Sequence, residues 1–320
     1  MSGKSDKGSE DHSIDSIAGR HLGRDEEGRR RPAYEAPERH DPELLVAVPR
    51  ALARGEIGLK EEAPLPFAGM DVWNAWECSF LLANGAPVAC VLTFHCPAES
   101  PSLVESKSAK LYLNSFNMER LPATTVEEGT RLFLETVQRD LSACIGAPVK
   151  VQATPAHLAA NAARPLVRDP GGWSLLEAAV DIAALTFDHD GEDPALLEAE
   201  TQTGGTLHVR TALLRSNCRI THQPDWGDLF VHMEGPRLPS QAALLRYVVS
   251  MRSENHFHEE IVETVFMRLQ TLFAPEALFV AGCYTRRGGL DINPVRASHP
   301  ALLERFCDLD AAPARTTLRQ

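Results

Sequence analysis

The same succession of elements can be read twice along the chain, and it restricts the possible folds more than any single motif does. In the first half, two strand-like runs at 73–82 and 87–95 flank Ala83-Asn84-Gly85-Ala86. Asn-Gly between alternating apolar segments is a strong hairpin signal, because both residues tolerate the positive φ of a tight turn. Helical spacing follows at 106–116 (Leu111, Leu113, Phe116) and at 125–144 (Leu132, Phe133, Val137, Leu141). Strand-like residues return at 149–153, and 173–187 is ambiguous but reads as partly strand. In the second half, runs at 207–214 and 228–233 predict a hairpin, and helices follow at 240–252 and 256–273. Phe257, Ile261, Val265, Leu269 and Leu272 share one face of the second helix, and 277–284 with 289–294 suggest a closing hairpin. Each half thus predicts strand–strand–helix–helix–strand–strand, a duplicated α+β module of about 110 residues. Identity between the halves is slight, so the repeat rests on element order alone.

Around these modules the chain divides by composition. Residues 1–42 are dense in Gly, Ser, Asp, Glu and Arg, with almost no apolar periodicity. Low hydrophobicity with high charge predicts a disordered or extended tail over 1–64. The first module is expected at 65–190 and the second at 207–320. The acidic, glycine-containing stretch between them predicts a linker at 191–206.

The 320 residues carry a formal net charge of -12, with 24% charged and 43% hydrophobic side chains. An acidic globular chain has no general attraction to nucleic acid or to an anionic membrane. No run of 18 apolar residues exists and the N-terminus is polar, so neither a transmembrane helix nor secretion is expected. Seven cysteines with no Cys-x-x-Cys pair suggest neither a disulfide framework nor a structural metal site. The expected setting is the reducing cytoplasm.

Four stretches carry candidate chemistry. In 216–226, Cys218 would end one strand and Asp225 would begin the next, across a loop holding His222 and Pro224. A thiol and a carboxylic acid at the mouth of a hairpin suit a nucleophile and a proton donor; a buried thiol beside a turn-forming Asp fits the same spacing. In 104–112, Glu105, Ser106 and Lys107 open a predicted helix, where free N–H groups suit a phosphate. A capped helix with a solvated Glu/Lys face would look the same. In 255–260, Asn255 is the expected N-cap, which puts His258 and Glu259 in the first turn, as dipole partners or facing a pocket. A carboxylate there can accept two N–H donors from a guanine-like edge. In 284–294, Arg286 and Arg287 precede Gly288 and Gly289, which reads as a cationic loop where backbone can approach a ligand, or as a Gly-Gly turn with solvated arginines.

Taken together, these stretches resemble the NADPH-dependent 7-cyano-7-deazaguanine reductases, the nitrile reductases of queuosine biosynthesis, in their long two-module form. Glu-Ser-Lys-Ser-x-Lys-Leu-Tyr stands at 105–112 and Ser-Asn-Cys with Gln-Pro-Asp-Trp within 216–226. Phe-His-Glu stands at 257–259 and Arg-Arg-Gly-Gly-Leu-Asp-Ile-Asn-Pro at 286–294. The similarity spans roughly 65–320. It departs at Val295, where a Trp usually follows Asn-Pro, and in the long N-terminal tail.

The resemblance implies tandem tunnelling-fold (T-fold) modules and a small-molecule substrate, 7-cyano-7-deazaguanine, reduced to 7-aminomethyl-7-deazaguanine. It implies Cys218 as the nucleophile forming a covalent thioimide, and Asp225 as the acid, with a pKa raised for that task. By the same likeness Val104, Glu105, Ser106, His258 and Glu259 bind the substrate, while Ser106, Lys107, Arg287 and Gly288 hold NADPH, used twice per turnover. A homodimer is expected, with no metal and no direct nucleic-acid partner. A cyclohydrolase-like enzyme of the same fold, or a binding protein that lost turnover, are the alternatives. Metal-ligand Cys/His spacing is lacking for the first, and intact Cys218, Asp225, Lys107 and Arg287 argue against the second.

Overall fold

The computed structural model describes residue 37 and residues 39–60, 62–189, 191–314, 317 and 320. The expected tail over 1–36 lies outside them. In chain order the elements are β1 (Ala47–Pro49), α1 (Ala51–Arg54), β2 (Ala68–Leu81), β3 (Pro87–Pro97), β4 (Ser102–Val104), α2 (Ser106–Asn114) and α3 (Val126–Ile145). Then come β5 (Lys150–Pro155), α4 (Ala156–Ala162), β6 (Ser174–Leu175), α5 (Leu176–Ala179), α6 (Ala195–Glu198), β7 (Thr201–Cys218) and β8 (Pro224–Pro239). The chain continues through α7 (Gln241–Ser250), β9 (Asn255–His256), α8 (His258–Phe273), β10 (Ala277–Tyr284), β11 (Leu290–Ala297) and α9 (Pro300–Phe306). The architecture is α+β.

Local chemistry explains the main elements. The β2–β3 turn carries Gly85 in the left-handed region at φ +87, while Asn84 keeps a negative φ, so the hairpin forms where the Asn-Gly signal predicts it but without positive φ at both residues. Thr125 Oγ1 accepts the Glu128 N–H at 3.2 Å to start α3, and Gly146 ends it in the left-handed region at φ +72. The expected Asn255 cap is not the one used. Asn255 pairs in β9, Phe257 holds the cap position of α8, and the Glu260 carboxylate accepts the Phe257 N–H at 2.9 Å.

The strands form one sheet in the order β5-β3-β2-β11-β10-β8-β7-β6, with β9 pairing β7. Its central joint is β11, which lies antiparallel to both β10 and β2, running from Leu290 opposite Ala75 to Ala297 opposite Ala68. The two halves therefore share one sheet. The first half does not close a second hairpin of its own: β5 returns to β3, whereas the ambiguous 173–187 stretch supplies only two-residue β6, on β7.

Leu113 of α2, Phe116 in the turn after it, and Phe133 and Val137 of α3 pack with Trp73, Phe80 and Phe94 of β2 and β3. Helices α7 and α8 cluster with β7, β8 and β10. A third cluster includes Phe230, Phe279, Val295 and Phe306. Strand β10 is buried on both sides, sending Leu278, Val280 and Tyr284 to the α7–α8 cluster and Phe279, Ala281 and Cys283 to the third. Val295, at the position where the sequence departs from its likeness, is fully buried in that third cluster.

Two boundaries differ from the sequence expectation. Within 1–64, residues 42–57 form a 3-10 turn, β1, α1 and a second 3-10 turn, and β1 pairs with β4. Polar anchoring holds this segment where apolar periodicity is lacking: Val46 N–H donates to Ser108 Oγ at 3.0 Å and Arg50 N–H to the Pro101 carbonyl at 3.0 Å. Arg50 is itself buried against Asp71. Within the expected 191–206 linker, α6 forms and β7 already begins at Thr201, because the β7–β8 hairpin runs to Pro239.

Candidate active site

Strand β7 ends on Cys218, and the chain turns through Arg219–Gln223 into β8. The Cys218 N–H donates to the Gln223 carbonyl at 2.8 Å and the His222 N–H to the Cys218 carbonyl at 2.9 Å. This closes the turn with His222 at φ +53. The thiol is only partly buried. Burial works against its ionisation, but hydrogen bonds from the Thr221 side chain and backbone and from the Ile220 backbone, with the Lys107 charge, outweigh it and hold the thiol below its ordinary range.

Asp225 is 4% exposed at the start of β8. Its Oδ2 lies 3.4 Å from His258 Nε2, and its other oxygen takes a hydrogen bond from Arg287. Burial raises its pKa, but the contacts with His258 and Arg287 outweigh that and set it below the usual carboxylate range. The expected raised acid is thus corrected: the Arg287 guanidinium and the His258 contact favour the charged form.

Glu259 follows on α8 and is 3% exposed. Burial first, then the charge of Asp71, push it up to about 8, against the opposing pull of its backbone contact, Arg50 and Arg296. Behind it lies a buried charge network that the sequence did not reveal. Arg296 bonds Asp71 and Glu263 at 2.8 Å each, Arg50 reaches Asp71 at 2.5 Å, and Arg54 reaches Glu263 at 2.7 Å. Its partners come from 50–54, 71, 263 and 296, a grouping with no local sequence signal.

These groups meet around one cavity of about 440 Å³, within the range of small-ligand sites. Val104, Ser106, Lys107, Cys218, Asp225, His258, Glu259, Arg287 and Gly288 all line it. So do Lys110, Thr221, His256, Phe257 and Thr285, which sequence reasoning had not assigned to it. Glu105 does not line it. Its carboxylate caps α2, accepting the N–H groups of Lys107 at 3.1 Å and Ser108 at 2.7 Å. The helix N-terminus expected to meet a phosphate is therefore occupied by its own cap, and the cavity's cationic groups are side chains: Lys107, Lys110 and Arg287. Gly288 has a specific requirement, with φ +59 and a position where a Cβ would lie 3.1 Å from Lys110 Nζ.

Residues 36–153 match the family model described as "Nitrile reductase, 7-cyano-7-deazaguanine-reductase N-term", and 224–301 match "QueF-like protein". A NADPH-dependent 7-cyano-7-deazaguanine reductase from Azoarcus sp. (strain BH72) is 44% identical over 80% of this chain and 85% of its own length. One so named from Dechloromonas aromatica (strain RCB) is 41% identical over 83% of this chain and 88% of its own. The chain belongs to the 7-cyano-7-deazaguanine reductase family. Among solved structures, the archaeosine synthase QueF-Like is 16% identical over 31% of this chain and 96% of that one, with a TM-score of 0.27, and so slight a likeness carries no argument.

The reductase family match reaches back to residue 36, so it takes in the 42–57 segment that supplies Arg50 and Arg54. Asp225, Glu259 and Arg287 lie in the second matched span. Cys218 falls between the two spans; its place rests on the hairpin and on the cavity it lines.

Proposed function

We propose that the protein reduces the nitrile of 7-cyano-7-deazaguanine to the primary amine with NADPH, within queuosine biosynthesis, through a covalent thioimide on Cys218. The observation that carries this mechanism is a thiol held below its ordinary pKa in the same cavity as the Asp225–His258 pair.

A nitrile carbon is electrophilic but needs activation. The Cys218 sulfur adds to it, forming a C–S bond, and the nitrile nitrogen takes up a proton to give the thioimide. The proton that the Cys218 thiol gives up balances that uptake: Asp225, held as the anion beside His258 Nε2, accepts it and passes it to the nitrogen. Glu259 faces the cavity and suits the N–H donors of a guanine-like edge once ionised, so base binding displaces its proton. Glu105 contributes by fixing the start of α2, and with it Ser106 and Lys107.

The residues present fit NADPH: Lys107, Lys110 and Arg287 supply charge for its phosphates, and the bare Gly288 backbone leaves a cradle that a Cβ would fill. NADPH supplies hydride, and four electrons from nitrile to amine require two per turnover. Departure of the Cys218 sulfur after the first reduction frees an imine, which the partly enclosed cavity keeps from water.

Tandem tunnelling-fold modules and a homodimer belong to the same reading. The two helix-covered hairpin systems joined at β11 support the first. The second is supported by β5, which ends the sheet with no strand beyond it among the described residues. No helix among the described residues is long and apolar enough to cross a membrane, and a cytoplasmic enzyme is proposed. The test is NADPH oxidation by the full chain with this nitrile. Two NADPH consumed per amine formed is expected, and no oxidation with that nitrile would overturn the assignment.

A further inference from the structure

Tyr284, at the end of β10, has no part in the chemistry above, yet it is fully buried beside the cavity. Its ring stacks on the His258 imidazole, with centroids 3.8 Å apart and planes 7° from parallel. Two glycines make room for it. A Cβ on Gly227 would sit 3.1 Å from Tyr284 Cδ1, and one on Gly282 would sit 3.0 Å from Tyr284 Cε2. These are opposite edges of the ring. Gly227 is its cross-strand partner and Gly282 precedes it by two on the same strand face. Neither glycine has a positive φ, so clearance and not backbone freedom is what they provide.

The Tyr284 hydroxyl has no hydrogen-bond partner among the described residues. A buried phenol without a partner is a cost, which points to the ring as the useful part. On the other side of the stack, His258 Nε2 faces Asp225 Oδ2 at 3.4 Å, and Nδ1 is buried with no partner among the described residues. Among the described residues, no hydrogen bond from the imidazole other than the Asp225 contact fixes its plane.

The geometry points to Tyr284 as a positioning residue: its ring, seated between Gly227 and Gly282, fixes the plane of the His258 imidazole so that Nε2 stays on Asp225. This rests on the proposed reductase reading for its kinetic consequence, but the stacking itself is testable without turnover.

The test uses the full chain with Tyr284→Leu, Tyr284→Phe and His258→Gln. NADPH oxidation with the nitrile gives the kinetics, and proton–carbon NMR of the histidine rings gives the geometry, with His258→Gln assigning the resonance. In the parent, the His258 ring protons are expected well upfield, because they lie over an aromatic face. Tyr284→Leu removes that shift and lowers kcat on the order of 10²-fold, as expected when a catalytic group loses its orientation; Tyr284→Phe restores both. Parent-like kcat in Tyr284→Leu, or loss in Tyr284→Phe equal to that in Tyr284→Leu, would overturn the inference. If Tyr284→Leu does not fold, a parent His258 resonance without the upfield shift overturns it, and an upfield shift retained in an active Tyr284→Phe supports it. If the parent itself oxidises no NADPH, the functional reading has failed, and the NMR series still decides whether Tyr284 holds His258.

Discussion

The Cys218 thiol owes its lowered pKa to groups at its own turn and to Lys107 across the cavity, with burial opposing them. Thr221→Val removes the side-chain hydrogen bond to sulfur, so the pH midpoint for alkylation by iodoacetamide is expected to move upward from the parent's; an unmoved midpoint would separate Thr221 from the thiol. Glu259 works in the opposite direction, raised by burial and Asp71 to about 8. A raised folded-state pKa means that its contribution is fully present below the unfolded value near 4.5 and is lost as pH rises through about 8. Glu259→Gln is therefore expected to match the parent's stability below about pH 4.5, to gain on it between there and about pH 8, and to hold that gain above. A denaturation series across pH showing a constant difference would contradict this. At this scale the sequence singled out Cys218, Asp225, His258, Glu259, Lys107 and Arg287 as candidates, because each stands in a dense local motif, and all six line the same cavity. It could not show the sign of the Asp225 shift, which depends on His258 and Arg287 arriving from elements 33 and 62 residues away. Nor could it show that Glu105 turns to its own helix.

Segment 42–57 shows how an element can be hidden from periodicity. Its three-residue strand and four-residue helix bury little apolar surface, and buried arginine contacts hold them instead. Arg50→Met leaves Asp71 without one of its two guanidinium partners. Breaking such a buried pair costs about 3–5 kcal/mol, so chemical denaturation is expected to show a loss of that order. A loss under about 1 kcal/mol would mean the segment is not anchored through this residue. At the loop after β10, Gly288→Ala has to place a Cβ at φ +59 beside Lys110. Its strain of about 1–3 kcal/mol is expected to appear mainly as weaker NADPH binding by titration, and parent-like affinity would remove the loop from the cofactor's cradle. The hairpins and the long helices were legible because hairpin signals and helical spacing are local. The lengths of β7 and β8 were not, since their outer ends pair across Gly, Thr and charged residues with little apolar alternation.

Across the whole molecule the consequential element is β11. It joins β10 to β2, and buried Asn74 Nδ2 donates to Asp291 at 2.7 Å across that joint. Neither half closes its sheet alone, so separate fragments 37–189 and 191–320 are expected to lack cooperative unfolding by circular dichroism, and to regain it when co-expressed. Two independently cooperative fragments would contradict the shared sheet. The opening hairpin and the helices of each half were readable in the sequence, but the closing hairpin expected of the first half does not form, and the merger was not readable because strand order is set by pairings more than 200 residues apart. The same joint assembles the cavity, bringing Ser106 and Lys107 from the first half to Cys218, Asp225 and Arg287 of the second. The most direct test of what that cavity does is mass spectrometry of the full chain incubated with 7-cyano-7-deazaguanine in the absence of NADPH. An adduct of the nitrile's mass on the peptide containing Cys218, absent in Cys218→Ala, is the predicted result; an unmodified Cys218, or an adduct that persists in Cys218→Ala, would contradict covalent catalysis at this thiol.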